Sequence, residues 1–154
     1  MDKRLFRDIM GKFATGITIV SIDYDGEILG MTVNAFMSVS LEPSLIAISI
    51  DEKASMYHKL QKTKKFGLSI LAEDQKEISM IYAKQMAKDR EIPYRRLDNI
   101  PVVTDSIATL SCHVKDTAKA GDHMIFIAEV TDLTVNEKEP ILFFGGKYRE
   151  IKSM

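Results

Sequence analysis

His123-Met124-Ile125-Phe126-Ile127-Ala128-Glu129-Val130-Thr131-Asp132-Leu133-Thr134-Val135 is a long β-branched run whose apolar pattern changes phase part-way. Met124, Phe126, Ala128 and Val130 share one face of a strand, but after Val130 the apolar positions move to Leu133 and Val135. A strand of period two changes parity only through a bulge or a sharp bend, here expected near Thr131-Asp132, and such bends curl a sheet into a barrel.

Upstream of that run, Leu110 to Lys115 alternates and Ala120-Gly121-Asp122 turns, giving a long hairpin. Ile17 to Ile22, Glu27 to Val33, Leu45 to Ile50 and Phe66 to Leu71 are further strands, the first two joined by the hairpin signal Asp25-Gly26. Ile141 to Phe144 is the last, before a Gly145-Gly146 turn into Tyr148. Short helices are expected where Leu5, Phe6, Ile9, Met10 and Phe13 fall at helical spacing, ending near Gly16. Two more are expected from a Ser55 cap through Leu60 and around Ile78, Ile81 and Tyr82. Lys84 to Arg96, basic and broken by Pro93, is expected to be a mobile surface excursion. Strands outnumber helices without regular β-helix-β alternation, so the expected fold is a single mainly-β domain over residues 1–154, an antiparallel barrel with short helices.

Hydrophobic residues are 45% and charged residues 28% of the chain, the composition of an ordinary globular protein. Twenty-one Lys and Arg stand against 22 Asp and Glu, which leaves no field to gather nucleic acid or an anionic membrane. No apolar run is long enough to span a bilayer, the first residues lead into no apolar leader core, and a cytoplasmic location is expected. Cys112, the single cysteine, lies in an alternating run and is expected to pack as a small hydrophobe. His58, His113 and His123 have no partner at ligand spacing, so no metal is expected. Gly11 and Gly16 are followed by Ile17-Thr18 where a phosphate loop needs Lys-Ser/Thr, and neither a Rossmann fingerprint nor a hydrolase elbow is present.

The stretch Gly30-Met31-Thr32-Val33-Asn34-Ala35-Phe36-Met37-Ser38-Val39-Ser40 passes from a strand into small and hydroxylated residues. Thr32, Asn34, Ser38 and Ser40 suit a tight turn satisfied by local side-chain bonds. The same residues offer the peptide and hydroxyl groups that a flavin ring and phosphate require.

The run from Met31 to Asp51, MTVNAFMSVSLEPSLIAISID, resembles the signature of the flavin reductase-like family. So do Phe13-Ala14-Thr15-Gly16-Ile17-Thr18, the segment Gly121-Asp122-His123 with Ile125-Phe126, and the closing Pro140-Ile141-Leu142-Phe143-Phe144 to Tyr148. The four segments stand in the family's order and span nearly the whole chain. The resemblance implies a homodimeric FMN-binding split β-barrel that oxidises NADH or NADPH. It implies flavin contacts at Thr32, Val33, Asn34, Ala35, Ser38, Val39 and Ser40, extending to Lys53 and Ser55 for the phosphate. It also implies a nicotinamide site at His123 and Tyr148, each of which would otherwise be a structural His or a core Tyr. Met37 departs from the Thr of many relatives, and the Lys84–Arg96 segment matches no family pattern. The expected activity is an NAD(P)H:flavin oxidoreductase supplying reduced flavin to a partner oxygenase or another acceptor protein. The alternatives are an FMN-carrying electron-transfer protein reduced by another protein and a non-enzymatic flavin-binding module.

Overall fold

Asp25 and Gly26 both take positive φ, 51° and 78°, and turn β1 (Thr18–Tyr24) into β2 (Glu27–Val33) with Tyr24 opposite Glu27. The computed structural model describes residues 1–154. The remaining main strands are β3 (Phe36–Ser40), β4 (Leu45–Asp51), β5 (Lys65–Ile70), β8 (Ala108–Ala120) and β9 (His123–Val135), and the seven-stranded antiparallel sheet runs β2-β1-β5-β8-β9-β4-β3. Its two edges, β2 and β3, are separated in sequence only by Asn34 and Ala35, about 10 Å at full extension. The sheet must therefore curl until its edges meet, yet no ladder joins them, and the result is a split barrel. Sequence pattern expected a turn where β3 runs, because Met37, Ser38 and Val39 are exposed on this edge strand and leave no apolar alternation to read.

The parity change in β9 is resolved as expected, by a bulge. Asp132 lies opposite Ser111 and Val130 opposite Cys112, so Thr131 is the extra residue. Leu133 then stands opposite Leu110, keeping the apolar face continuous across the bulge.

The barrel interior is filled by Val20, Ile22, Ile48, Phe66, Leu68 and Phe126, among others, and is closed at one end by Met56, Tyr57 and Leu60 of α2 (Met56–Thr63). Cys112 is fully buried in it, and burial pushes its thiol up to about 12. Ser55 occupies the N-cap position of α2 but already has helical φ and ψ, and its side chain caps nothing, contrary to the expected cap.

A second core lies outside the barrel, where Ile17, Ile19 and Leu71 meet Ile81, Ile92, Val103 and Ile141. It is built by α3 (Lys76–Tyr82) and by a hairpin of β6 (Tyr94–Leu97) and β7 (Ile100–Val103). The expected mobile excursion is thus corrected in its second half: Ile92 is buried, the left-handed pair Asp98-Asn99 makes the hairpin turn, and Arg96 pairs with Asp23. Small residues admit this layer. Gly30, Ser21, Gly67 and Ser111 face one another across β2, β1, β5 and β8, and Ser21 Oγ donates to Pro101 O at 2.6 Å. A methyl group at Gly30 would lie 2.8 Å from the Tyr82 ring, and one at Gly67 only 2.0 Å from Pro101 O. Tyr82 in turn hydrogen-bonds Tyr94, and burial raises both phenols.

The opening helix, α1 (Lys3–Met10), is capped by the Asp2 carboxylate, which accepts from Arg4 N and Leu5 N at 2.9 and 3.1 Å. It stops at Gly11, short of Gly16, and its apolar stripe stays exposed: Leu5, Phe6, Ile9 and Met10 each keep about half their surface. The C-terminal hairpin of β10 (Leu142–Phe144) and β11 (Lys147–Arg149) turns at Gly145-Gly146, both at positive φ, and clips to the segment after α1 through paired Thr15 and Phe143 backbone bonds. No helix is long and apolar enough to cross a membrane.

Candidate active site

The end of β2, α3 and the C-terminal hairpin enclose a pocket of about 160 Å³ lined by Thr32, Asn34, Ser79, Gln85, Phe143 and Tyr148, among others. Thr32 Oγ1 donates to Ser79 O at 2.7 Å, and Ser79 Oγ hydrogen-bonds the Tyr148 hydroxyl at 3.0 Å. The Tyr148 ring meets Phe143 edge-on, centroids 5.6 Å apart, with Lys76 Nζ 5.3 Å from its centroid. Two of the residues expected at the flavin and one expected at the nicotinamide therefore share one pocket.

Asn34 also lines a neighbouring depression of about 260 Å³ beside Phe13, Thr15, Gly16 and Phe36. In its wall the Thr15 hydroxyl is buried with no hydrogen-bond partner. A buried hydroxyl without a partner is costly, so a ligand or water atom is expected to meet it. Further along the same edge, Ser38 and Ser40 line a shallow depression of about 390 Å³ with Leu41 and Leu133. The side chains of Asn34, Ser38 and Ser40 make no hydrogen bond within the chain, unlike those of Thr32 and Ser44, so local turn bonding does not account for them. Val33 is buried, with its side chain in the core and its carbonyl accepting from Thr18 Oγ1 at 2.5 Å, whereas Ala35 and Val39 are exposed; the flavin contact expected at Val33 therefore has no exposed group there to make it.

His123 sits elsewhere. It begins β9 opposite Asp51 and donates from Nδ1 to Asp122 Oδ1 at 2.8 Å, a bond that holds the Asp122 carboxyl below its ordinary range. Glu52 N donates to Asp122 O and Lys53 N to the Asp51 carboxylate, both at 2.9 Å, so exposed Lys53 and Ser55 share this corner with His123. Ala35 O accepts from Ser49 N, and Ser49 faces Ile125, two residues from His123; the corner therefore adjoins the Asn34–Ala35 link. His123 does not line the pocket that holds Tyr148. Ser79 was not legible as a site residue, since a serine inside a helical pattern carries no signal of its own.

A pocket of about 160 Å³ is smaller than the roughly 300 Å³ at which small-molecule sites begin, so it does not itself enclose a tricyclic ring. The donors along the adjoining edge do fit one: unpartnered amide and hydroxyl groups at Asn34, Ser38 and Ser40, the orphaned Thr15 hydroxyl, exposed backbone, and an ammonium at Lys53.

Comparison with known proteins identifies the family and the fold. The flavin reductase like domain model matches residues 10–152. The chain is 35% identical over 153 residues to an NADH-dependent flavin reductase, StyB, of Pseudomonas fluorescens, covering 96% of this chain and 89% of that protein. It superposes on a solved flavin reductase, PheA2, with a TM-score of 0.97 at 48% identity, covering 99% and 100% of the two chains. It superposes on the NADH:FAD oxidoreductase SgcE6 of Streptomyces globisporus, solved with NAD and FAD fragments, with a TM-score of 0.91 at 30% identity over 98% and 93%. Other relatives are reductase components, of a 4-hydroxyphenylacetate 3-monooxygenase in Thermus thermophilus and of a bacterial two-component tryptophan halogenase. With the family model spanning nearly the whole chain and the split barrel in place, this protein belongs to the flavin reductase-like domain family.

Proposed function

We propose that this protein is a flavin reductase that holds FMN along Thr32–Ser40 and oxidises NADH or NADPH against it. The observation that carries the proposal is the row of unpartnered polar side chains, Asn34, Ser38 and Ser40, beside a pocket walled by Phe143 and Tyr148. When bound, FMN supplies the hydride acceptor. The chain's own work is positional. Asn34, Ser38 and Ser40 would donate to the ring and ribityl chain, exposed backbone at Ala35 and Val39 would line the ring edge, and the Lys53 ammonium would neutralise the phosphate while the Ser55 hydroxyl donates to it. Tyr148 gives the nicotinamide a flat wall, and His123 orients it from the adjoining corner. No proton need pass through either residue.

Asn34→Ala combined with Ser40→Ala is expected to raise the Kd for FMN about tenfold or more with no change in melting temperature, because both side chains are unpaired in the free protein. Fluorescence quenching of added FMN checks it, and unchanged affinity in the folded double variant moves the flavin elsewhere.

A homodimer completes the proposal. Met37, Val39 and Leu41 on the edge strand, Leu133 and Val135 at the end of β9, and the stripe of α1 are all exposed, and a second copy would cover them while deepening shallow flavin depressions. Light scattering is expected to give twice the chain mass; a monomer that still binds FMN tightly contradicts this. Reduced flavin or its electrons would then pass to a partner oxygenase or another acceptor, as the names of the reductase-component relatives suggest. A buried single thiol and dependence on a reduced nicotinamide nucleotide support a cytoplasmic setting.

A further inference from the structure

We propose that Ser79 is a positioning residue that fixes the Tyr148 ring against the flavin-binding strand; this rests on the function proposed above. Ser79 is fully buried inside α3 and is the one residue bonded to both walls of the pocket. Its main-chain oxygen accepts from Thr32 Oγ1 at 2.7 Å, in addition to the helical bond from Ala83 N at 3.0 Å, and its hydroxyl bonds the Tyr148 hydroxyl at 3.0 Å. Thr32 lies 47 residues before it and Tyr148 69 residues after it.

Tyr148 needs such a hold. Its strand, β11, is three residues long and pairs only with β10, outside the seven-stranded sheet. Contacts with the Phe143 ring and the Lys76 ammonium attract the tyrosine without fixing its tilt. A hydrogen bond from its hydroxyl to a buried helix residue does fix it, and ties the hairpin to the same turn of α3 that receives Thr32. Hydride transfer depends steeply on the distance and angle between two stacked planes, so loss of this tie acts on geometry first. Its cost to stability is small: alanine is a better helix former than serine, and the Tyr148 hydroxyl lines a pocket that water can enter.

The test uses the full-length protein loaded with FMN and four variants, Ser79→Ala, Tyr148→Phe, their double variant, and Tyr148→Ala. Stopped-flow reduction by NADH, FMN Kd and a melting curve are measured on each. Ser79→Ala and Tyr148→Phe are each expected to slow reduction, or raise the NADH KM, about tenfold, with FMN affinity within about twofold of wild type. The double variant should be no slower than either single one, because both remove the same bond. If Tyr148→Ala is slow while Ser79→Ala and Tyr148→Phe run at the wild-type rate, the positioning role is wrong and the nicotinamide assignment of Tyr148 stands. If all four run at the wild-type rate with FMN bound, that assignment itself fails and this inference with it. Multiplicative losses in the double variant, or loss of FMN affinity in step with melting temperature in Ser79→Ala, also overturn it. Tyr148→Phe leaves α3 untouched and remains decisive if Ser79→Ala folds poorly.

Discussion

His123→Ala and Tyr148→Ala are each expected to slow reduction of bound FMN by NADH about 100-fold while FMN affinity stays within about twofold. The two residues lie on either side of the Asn34–Ala35 link, Tyr148 in the aromatic pocket and His123 in the Asp51–Lys53 corner. Their stability costs differ. The His123 side chain is 40% exposed and bonded only to its neighbour Asp122, so His123→Ala should melt like wild type. Tyr148 packs on Phe143 and bonds Ser79, so its truncation should cost about 1–2 kcal/mol. Dithionite reduction run in parallel separates a damaged nicotinamide site from a damaged flavin. Two folded variants that take hydride at the wild-type rate would remove both residues from the nicotinamide site.

Gly67→Ala is expected to destabilise the fold by roughly 3 kcal/mol, lowering Tm by about 6–12 °C for a chain of this size. The added methyl would lie 2.0 Å from Pro101 O and 2.8 Å from Val102 Cγ1, and a backbone carbonyl cannot swing aside as a side chain can. Moving β7 away would also leave the buried Ser21 hydroxyl without the Pro101 acceptor it now has at 2.6 Å. Val103 N, which donates to Ser69 Oγ at 2.9 Å, lies on the same short strand. Thermal melting decides the matter: a shift under about 2 °C would mean that β7 can ride up off the sheet without loss.

Local chemistry made much of this fold legible. Asp25-Gly26 specifies its hairpin because both residues tolerate positive φ, and the phase change after Val130 requires the bulge found at Thr131. What escaped depends on tertiary partners. The small residues Gly30, Ser21, Gly67 and Ser111 look unrelated until strand register aligns them; only then does the row explain how α3, over Gly30, and the β6–β7 hairpin, over Ser21 and Gly67, rest on the barrel. Ile92 and Tyr94 sit among basic residues that masked their burial, so the hairpin looked like a solvated excursion. The stripe on α1 was visible as helical spacing, but spacing cannot say that the chain itself supplies no surface to cover it. Within the candidate site, the stretch from Thr32 to Ser40 stands out in the sequence as one group, and the structure spreads its polar side chains over separate depressions, whereas Ser79 gains meaning only from the two walls it joins.

The most direct test of the central claim is steady-state oxidation of NADH and of NADPH by the purified protein, with and without FMN, and with FAD and riboflavin in parallel. Oxidation of at least one nucleotide should scale with protein concentration and require flavin, with FMN the best acceptor. A protein that binds FMN yet oxidises neither nucleotide above the flavin-free baseline would be an electron carrier or a flavin-binding module, and the assignment of reductase activity would be wrong.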